Sequence, residues 1–188
     1  MRKLILKTNM SLDGYLEGPN GAMDWFPRDS GPEWRELEKL MKRVDTVILG
    51  RGMYAGYSGH WQGVLAAPNK YPKDEVSYAR WADKTRHIVF SRNMKKVDWQ
   101  NMEIMRNAAK DVRALKSRPG KDIIVYGGSK FTGGLIDQGL VDEYYLLVVP
   151  VLLGGGKLLF KNVAHRRILK QVGVKSLSSK AVWLTYKK

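Results

Sequence analysis

The sequence predicts an α/β protein built on a mostly parallel sheet with an antiparallel C-terminal edge. Two patterns support this. Short apolar runs of the kind that suit strands buried on both faces recur along the chain, and helical patterns lie between them. The strand-like segments nearest the C-terminus are close-set, which favours antiparallel neighbours there.

The elements follow in order. Residues 4–10 form the first strand. Its basic and then apolar start faintly suggests a signal peptide, but Lys3, Lys7 and Asn9 interrupt it and no small-residue cleavage site follows, so it reads as a retained strand. In residues 32–44, Trp34, Leu37, Leu40, Met41 and Val44 fall on one helical face, with charged residues opposite. Pro32 suits a first turn and Ser30 suits a cap. Residues 45–49 are a strand closed by Gly50. Residues 52–74, rich in Gly, Pro, Tyr and Trp, read as a long surface loop. Helical stretches are expected at 78–82 and 108–115, and strands at 87–90 and 122–126. Residues 129–138 form a helix with Ser129 as N-cap and Gly139 as its stop. Residues 143–151 are a long apolar strand, and 181–186 alternate as an edge strand.

At 188 residues the chain is expected to be a single domain that buries a sizeable core. It has no cysteine. That excludes disulfides, Cys-ligated metals and a thiol nucleophile, and it fits a cytoplasmic protein. No apolar run is long enough to span a bilayer. The net charge is +15. Lys and Arg number eight against eight acidic residues in 1–50, fourteen against six in 51–120, and eleven against four in 121–188. The excess is therefore spread over the last two thirds of the chain. It would attract nucleic acid or small phosphorylated ligands alike. No nucleic-acid-binding motif accompanies it, so nucleic acid is not the expected partner.

In open α/β sheets, ligands bind beyond the carboxyl ends of the strands. Those ends carry Ser11-Leu12-Asp13-Gly14, Gly50-Arg51-Gly52-Met53, Ser91-Arg92-Asn93 and Gly127-Gly128-Ser129-Lys130. Gly50-Arg51 can offer backbone N–H groups and a guanidinium together. Gly127-Gly128 leads into a helix whose free N–H groups favour a phosphate. Arg92 beside Ser91 suits a further phosphate, as in NADP rather than NAD. There is no G-x-G-x-x-G fingerprint and no G-K-[ST] loop. On the first strand Lys7, Asn9 and Ser11 share one face, with Asp13 just beyond. Trp25 and Trp34 could wall a flat heterocycle. The three histidines, His60, His87 and His165, read as structural or surface residues, and no metal site is expected.

Together, NMSLDGYLEG, VILGRGMY, VFSRN and VYGGSKFTGGLIDQGLVDEYYLLVVPVLLGGGKLLF resemble the dihydrofolate-reductase-like superfamily. They are most similar to the reductase domain of the bifunctional riboflavin-biosynthesis deaminase-reductase and its stand-alone relatives. The resemblance covers nearly the whole chain. It implies a dihydrofolate-reductase-like three-layer α/β/α fold, NADPH as hydride donor and a homodimer. Position by position, it implies cofactor contacts at Gly50, Arg51, Met53, Ser91, Arg92, Gly127, Gly128, Ser129, Lys130 and Phe131. It also implies a cis peptide between the two glycines. On the substrate side it implies roles for Lys7 and Asp13; strand alternation adds Asn9 and Ser11, and their flat rings add Trp25 and Trp34, as further substrate contacts.

The chain departs from that pattern at Tyr126, where the riboflavin enzymes carry a Glu that serves the substrate. Tyr126 is retained as a candidate catalytic group. The acid of the folate enzymes has no aligned counterpart, although Glu33 or Glu38 could substitute. The zinc-binding deaminase half is absent. The expected activity is hydride transfer from NADPH to a small heterocyclic or sugar-phosphate substrate. It resembles the reduction of 5-amino-6-(5-phosphoribosylamino)uracil. A non-catalytic NADP-binding or sensing module is the alternative that Tyr126 keeps open. A dihydrofolate reductase or a nucleic-acid-binding protein fits less well.

Overall fold

A computed structural model of the chain describes residues 1–26, 31–177 and 180–188; the proposed cap Ser30 lies outside them. The strands are β1 (Leu4–Ser11), β2 (Tyr15–Glu17), β3 (Val44–Gly50), β4 (Arg86–Phe90), β5 (Met102–Met105), β6 (Asp122–Tyr126), β7 (Glu143–Val149), β8 (Lys157–Leu158), β9 (Lys170–Ser176) and β10 (Val182–Lys187). The α-helices are α1 (Gly31–Arg43), α2 (Arg51–Ala66), α3 (Lys73–Lys84), α4 (Ala108–Ser117) and α5 (Ser129–Asp137).

Eight strands make one sheet in the order β5-β4-β3-β6-β1-β7-β10-β9, and β2 pairs with β8 apart from it. Strands β5, β4, β3, β6, β1 and β7 run parallel. Strand β10 is antiparallel to both β7 and β9, which forms the predicted edge. Alternation along the central strands sends Ile5, Val47, Leu49, Val89 and Ile124 to one face, where they meet Leu37 and Leu40 of α1, Tyr57 of α2 and Tyr78 of α3. Leu4, Leu6, Ile48, Ile88, Ile123 and Val125 go to the other face, against Val112 and Leu115 of α4 and Leu135 and Ile136 of α5. The result is the three-layer α/β/α arrangement.

Residues 52–74 are not a loop. They make most of α2, a short 3-10 turn at Pro68–Lys70, and the start of α3. Gly52, Gly56, Gly59 and Gly63 lower the helix propensity of α2 by roughly 1 kcal/mol each relative to alanine. Tertiary packing overrides that cost. Tyr54, Tyr57, Trp61 and Leu65 recur at helical spacing on the core face, and burying a large apolar side chain contributes about 1.5–3 kcal/mol. A second correction concerns α5. Its N-cap is Gly128, and Ser129 is already helical. The Ser129 hydroxyl instead accepts from Asn162 Nδ2 at 2.9 Å. Gly139 does end that helix, with φ +64°.

Candidate active site

Because β4, β3, β6 and β1 are parallel neighbours, their carboxyl ends line up along one rim. In spatial order the rim carries Ser91-Arg92, Gly50-Arg51, Gly127-Gly128 and Ser11 to Asp13. The predicted cofactor segments thus occupy three adjacent strand ends, and the predicted substrate segment occupies the fourth.

Phe131 explains why glycines sit at two of these ends. A Cβ on Gly50 would lie 3.0 Å from the Phe131 ring, and one on Gly127 would lie 2.7 Å from Phe131 Cδ1. Distances under 3.0 Å force the neighbour to move. Gly128 differs, because a Cβ there would meet nothing within 4 Å. The first glycine of the pair therefore admits the Phe131 ring, and the second leaves open space beside the backbone. The peptide joining them is trans, as are all peptides among the described residues. Close packing on Phe131, without a cis bond, accounts for Gly127.

Helices α2 and α5 start at Arg51 and Ser129 from adjacent strands, and neither N-cap, Gly50 or Gly128, supplies a side-chain cap. Their first-turn N–H groups and positive dipole ends face the rim. Arg51, Arg92 and Lys130 are exposed and Met53 is half-buried. A cleft of about 360 Å³ lies between Ser91, Arg92, Arg106, Asn107 and Phe131. The Ser91 hydroxyl is engaged by the Met94 N–H at 3.1 Å and shapes the turn that carries Arg92. Arg106 donates to the Ser91 carbonyl at 2.7 Å. Arg106 and Asn107 follow β5, a four-residue strand too short to be legible in the sequence.

On the substrate side Lys7 is 8 % exposed, and its Nζ lies 2.7 Å from Asn9 Oδ1 and 2.6 Å from Glu33 Oε1. It also sits 5.7 Å from the centre of the Trp183 ring. Glu33, in the first turn of α1, therefore brings a carboxylate to the centre of the sheet. Ser11 and Asp13 do not join this group. Asp13 accepts from Ser11 Oγ at 2.6 Å and from the Leu153 and Gly154 N–H groups at 3.1 and 2.8 Å. Those bonds, led by the Ser11 hydroxyl, hold its carboxyl below the usual range. Asp13 latches the first-strand turn to the Leu153–Gly154 loop, so the SLDG and LLGGG segments meet in space. Trp34 packs on Trp61 and Tyr78. Trp25 donates to the Ala22 carbonyl at 3.2 Å beside Phe26. Among the described residues, no three His, Asp or Glu side chains gather as a metal site.

Tyr126 projects from β6 into the layer of α1, α2 and α3. Its hydroxyl is 3.2 Å from that of Tyr78, which is 3.0 Å from that of Tyr57, which is 3.0 Å from His87 Nε2. Burial raises all three phenols well above their ordinary value. Burial also pushes the His87 imidazole down to about 4, against the pull of the Thr85 carbonyl and Asp83. An unfolded chain protonates this group near 6.5. Between those values the unfolded state binds more protons. The contribution of neutral His87 is therefore full above pH 6.5 and is lost as pH falls towards 4, by about 3 kcal/mol. Urea unfolding at pH 7 and 4.5 should show this loss in the wild type and a smaller one in His87→Gln. Equal losses would remove His87 from the account.

Comparison with known proteins places this geometry. The RibD C-terminal domain pattern matches residues 2–183. The protein YyaP of Bacillus subtilis (strain 168) is 35% identical over 185 residues, covering 98% of this chain and 94% of its own. A Shewanella sp. PV-4 protein provisionally assigned to riboflavin biosynthesis superposes with TM-score 0.72 at 20% identity, over 98% of both chains. The Enterococcus faecalis dihydrofolate reductase complexed with NADP(H) superposes with TM-score 0.63 at 14% identity, over 98% of this chain and 95% of that one. At those identities the two structures establish a shared dihydrofolate-reductase-like fold. The match along nearly its whole length shows that the chain belongs to the RibD C-terminal domain family.

Proposed function

We propose that this protein is an NADPH-dependent reductase of a small heterocyclic or sugar-phosphate substrate. The observation that carries the reading is that two helix N-termini without side-chain caps, at Gly50 and Gly128, open on the rim where β6 ends at Tyr126, with the Lys7–Glu33 pair on the neighbouring strand β1. The residues fit a dinucleotide. Open space beside Gly128 admits a phosphate to the first-turn amides of α5, Arg51 offers a guanidinium at the start of α2, and the cleft at Arg92, Arg106 and Asn107 suits the 2′-phosphate end. Met53, Ser91, Ser129, Lys130 and Phe131 complete the cofactor side. Bound there, the reduced nicotinamide would supply a hydride. Lys7, Asn9, Glu33 and Tyr126 would orient the substrate, with Trp25 and Trp34 closing the aromatic wall and Ser11 and Asp13 holding the adjoining turn. The same reading takes the chain as one cytoplasmic reductase domain that works as a homodimer, as its resemblance implies.

A fluorescence titration with NADPH and NADH tests the cradle. Arg51→Ala and Gly128→Ala should each weaken NADPH at least tenfold, about 1.4 kcal/mol. Gly128→Ala should leave the melting temperature unchanged, because φ −71° and ψ 165° suit alanine. Unchanged affinity in both variants would count against the cradle. A panel of pyrimidines, pterins and carbonyl compounds, followed at the nicotinamide absorbance, then seeks the substrate. NADPH binding without turnover of any of them would indicate a non-catalytic nucleotide-binding module.

A further inference from the structure

A second cavity of about 360 Å³ lies between α1 and the β9–β10 hairpin. The strand register shows how it arises. On the α1 face, one row of side chains crosses β7, β10 and β9 as Leu147, Trp183 and Lys175. The next row runs Tyr145, Thr185 and Gly173, and the one after it holds Glu143 and Lys187. The middle row shrinks from a phenol to a hydroxyl to nothing, which opens a groove across the hairpin. Helix α1 walls it with Glu36, Lys39, Leu40 and Arg43, which share one helical face.

Nothing within the chain calls for glycine at 173. It lies inside β9, where glycine weakens a strand. Its φ is not among the positive ones, so the adjoining register shift does not need a glycine in the left-handed region. An added Cβ would meet only Thr185, at an ordinary 3.6 Å. Gly173 is nevertheless the one half-buried residue of an otherwise exposed strand. A strand glycine that neither a bulge nor packing requires suits close approach by a ligand.

The charges around the groove say which kind. Lys39, Arg43, Lys175 and Lys187 border it. Glu36 is shared by Lys39 at 2.7 Å and Lys175 at 2.8 Å. Glu143 is shared by Arg43 at 3.1 Å and, more loosely, Lys187 at 3.6 Å, and Arg43 also pairs with Asp122 at 2.7 Å. Four cations thus meet three carboxylates, and the lysine ends remain exposed to solvent. Leu40 and Trp183 add apolar lining.

We propose that this groove is a second ligand site, separate from the rim, for a small organic anion. A flat apolar body would lie over Thr185 and Gly173, with its acidic group drawn to Lys175 and Lys187. The volume falls at the small end of ligand pockets.

Naphthalene-2-sulfonate is a suitable probe, titrated into ¹⁵N-labelled protein with excess NADP⁺ present to fill the proposed cofactor cleft. The indole N–H signal of Trp183 should shift and saturate. The readout is local to the groove, so it holds even if the cofactor reading fails. 2-Naphthylmethylamine, of similar shape and opposite charge, should need about tenfold more. Lys175→Gln should weaken the sulfonate about tenfold, the equivalent of one charged hydrogen bond. Gly173→Phe fills the groove and should abolish the shift, whereas Gly173→Ala should keep it. Should the phenylalanine variant melt well below the wild type, Gly173→Val repeats the test. A silent Trp183, an equal response to the amine, or full binding to the filled groove overturns the proposal. If sedimentation shows that Gly173→Phe dissociates a dimer, the groove is an interface between copies and the proposal fails as well.

Discussion

Replacing Lys7 by methionine is expected to destabilise the protein by about 3 kcal/mol at neutral pH, more than the loss of the lysine's own packing. The reason lies in what remains. The side chains of Lys7 and Glu33 are 9% and 12% exposed, and their charged atoms lie 2.6 Å apart. Removing the ammonium leaves the Glu33 carboxylate desolvated without its partner, and it also removes the donor to Asn9 Oδ1. Methionine keeps most of the stem volume, so cavity formation contributes little. Adding Glu33→Gln to the methionine variant should restore most of the loss, because the pair as a whole contributes far less than either charge left alone. Urea unfolding of the four proteins gives the coupling directly, with about 2 kcal/mol expected. If the double variant is as unstable as the sum of the single ones, the two side chains do not act as a pair. NADPH affinity should hold in all four proteins, since β1 and the start of α1 lie outside the proposed phosphate cradle.

The pair also shows where sequence reading reached and where it stopped. Lys7 was legible because strand alternation puts it on the face of Ile5, and Asn9 follows by the same rule. Glu33 is not distinguishable from Glu38 in the sequence, because nothing local says which acid of a helix will meet a strand 26 positions earlier. The six strands 4–10, 45–49, 87–90, 122–126, 143–151 and 181–186 all appear in the sheet, 122–126 with its ends unchanged and the others with ends shifted by one or two residues, since their apolar runs carry the signal. The short β2 and β8 and the exposed β9 were invisible because none has a buried apolar face of its own, and β5 because only Met102 of its four residues is buried. Helix α2 was hidden by composition. Its glycines suggested a loop, yet their 4-3-4 spacing from Gly52 to Gly63 and the interleaved Tyr54, Tyr57, Trp61 and Leu65 have the helical period. Losing α2 meant losing Tyr57, and with it the chain from His87 to Tyr126.

Gly156→Ala is expected to be the most damaging of the glycine-to-alanine changes. An added Cβ would sit 1.9 Å from the Glu17 carbonyl oxygen and 2.8 Å from the Gly18 carbonyl carbon, both backbone atoms that cannot rotate away. The residue also holds φ +119°, which an L side chain rarely adopts. Overpacking and backbone strain each cost about 1–3 kcal/mol, so a loss of at least about 3 kcal/mol is expected. The disturbance would travel. Gly156 adjoins β8, which pairs with β2 through Tyr15 and Glu17, and the preceding Leu153 and Gly154 N–H groups hold Asp13. Pushing the loop outward therefore releases the turn that follows Ser11 on the substrate rim. Gly155→Ala is the internal control, because its Cβ would meet only Pro19 Cγ at an ordinary 3.6 Å. Urea unfolding should show Gly155→Ala within about 0.5 kcal/mol of the wild type, with Gly156→Ala far below it. Similar stabilities for the two variants would mean that this loop does not lock the first-strand turn, and the structural role assigned to Asp13 would fail with it.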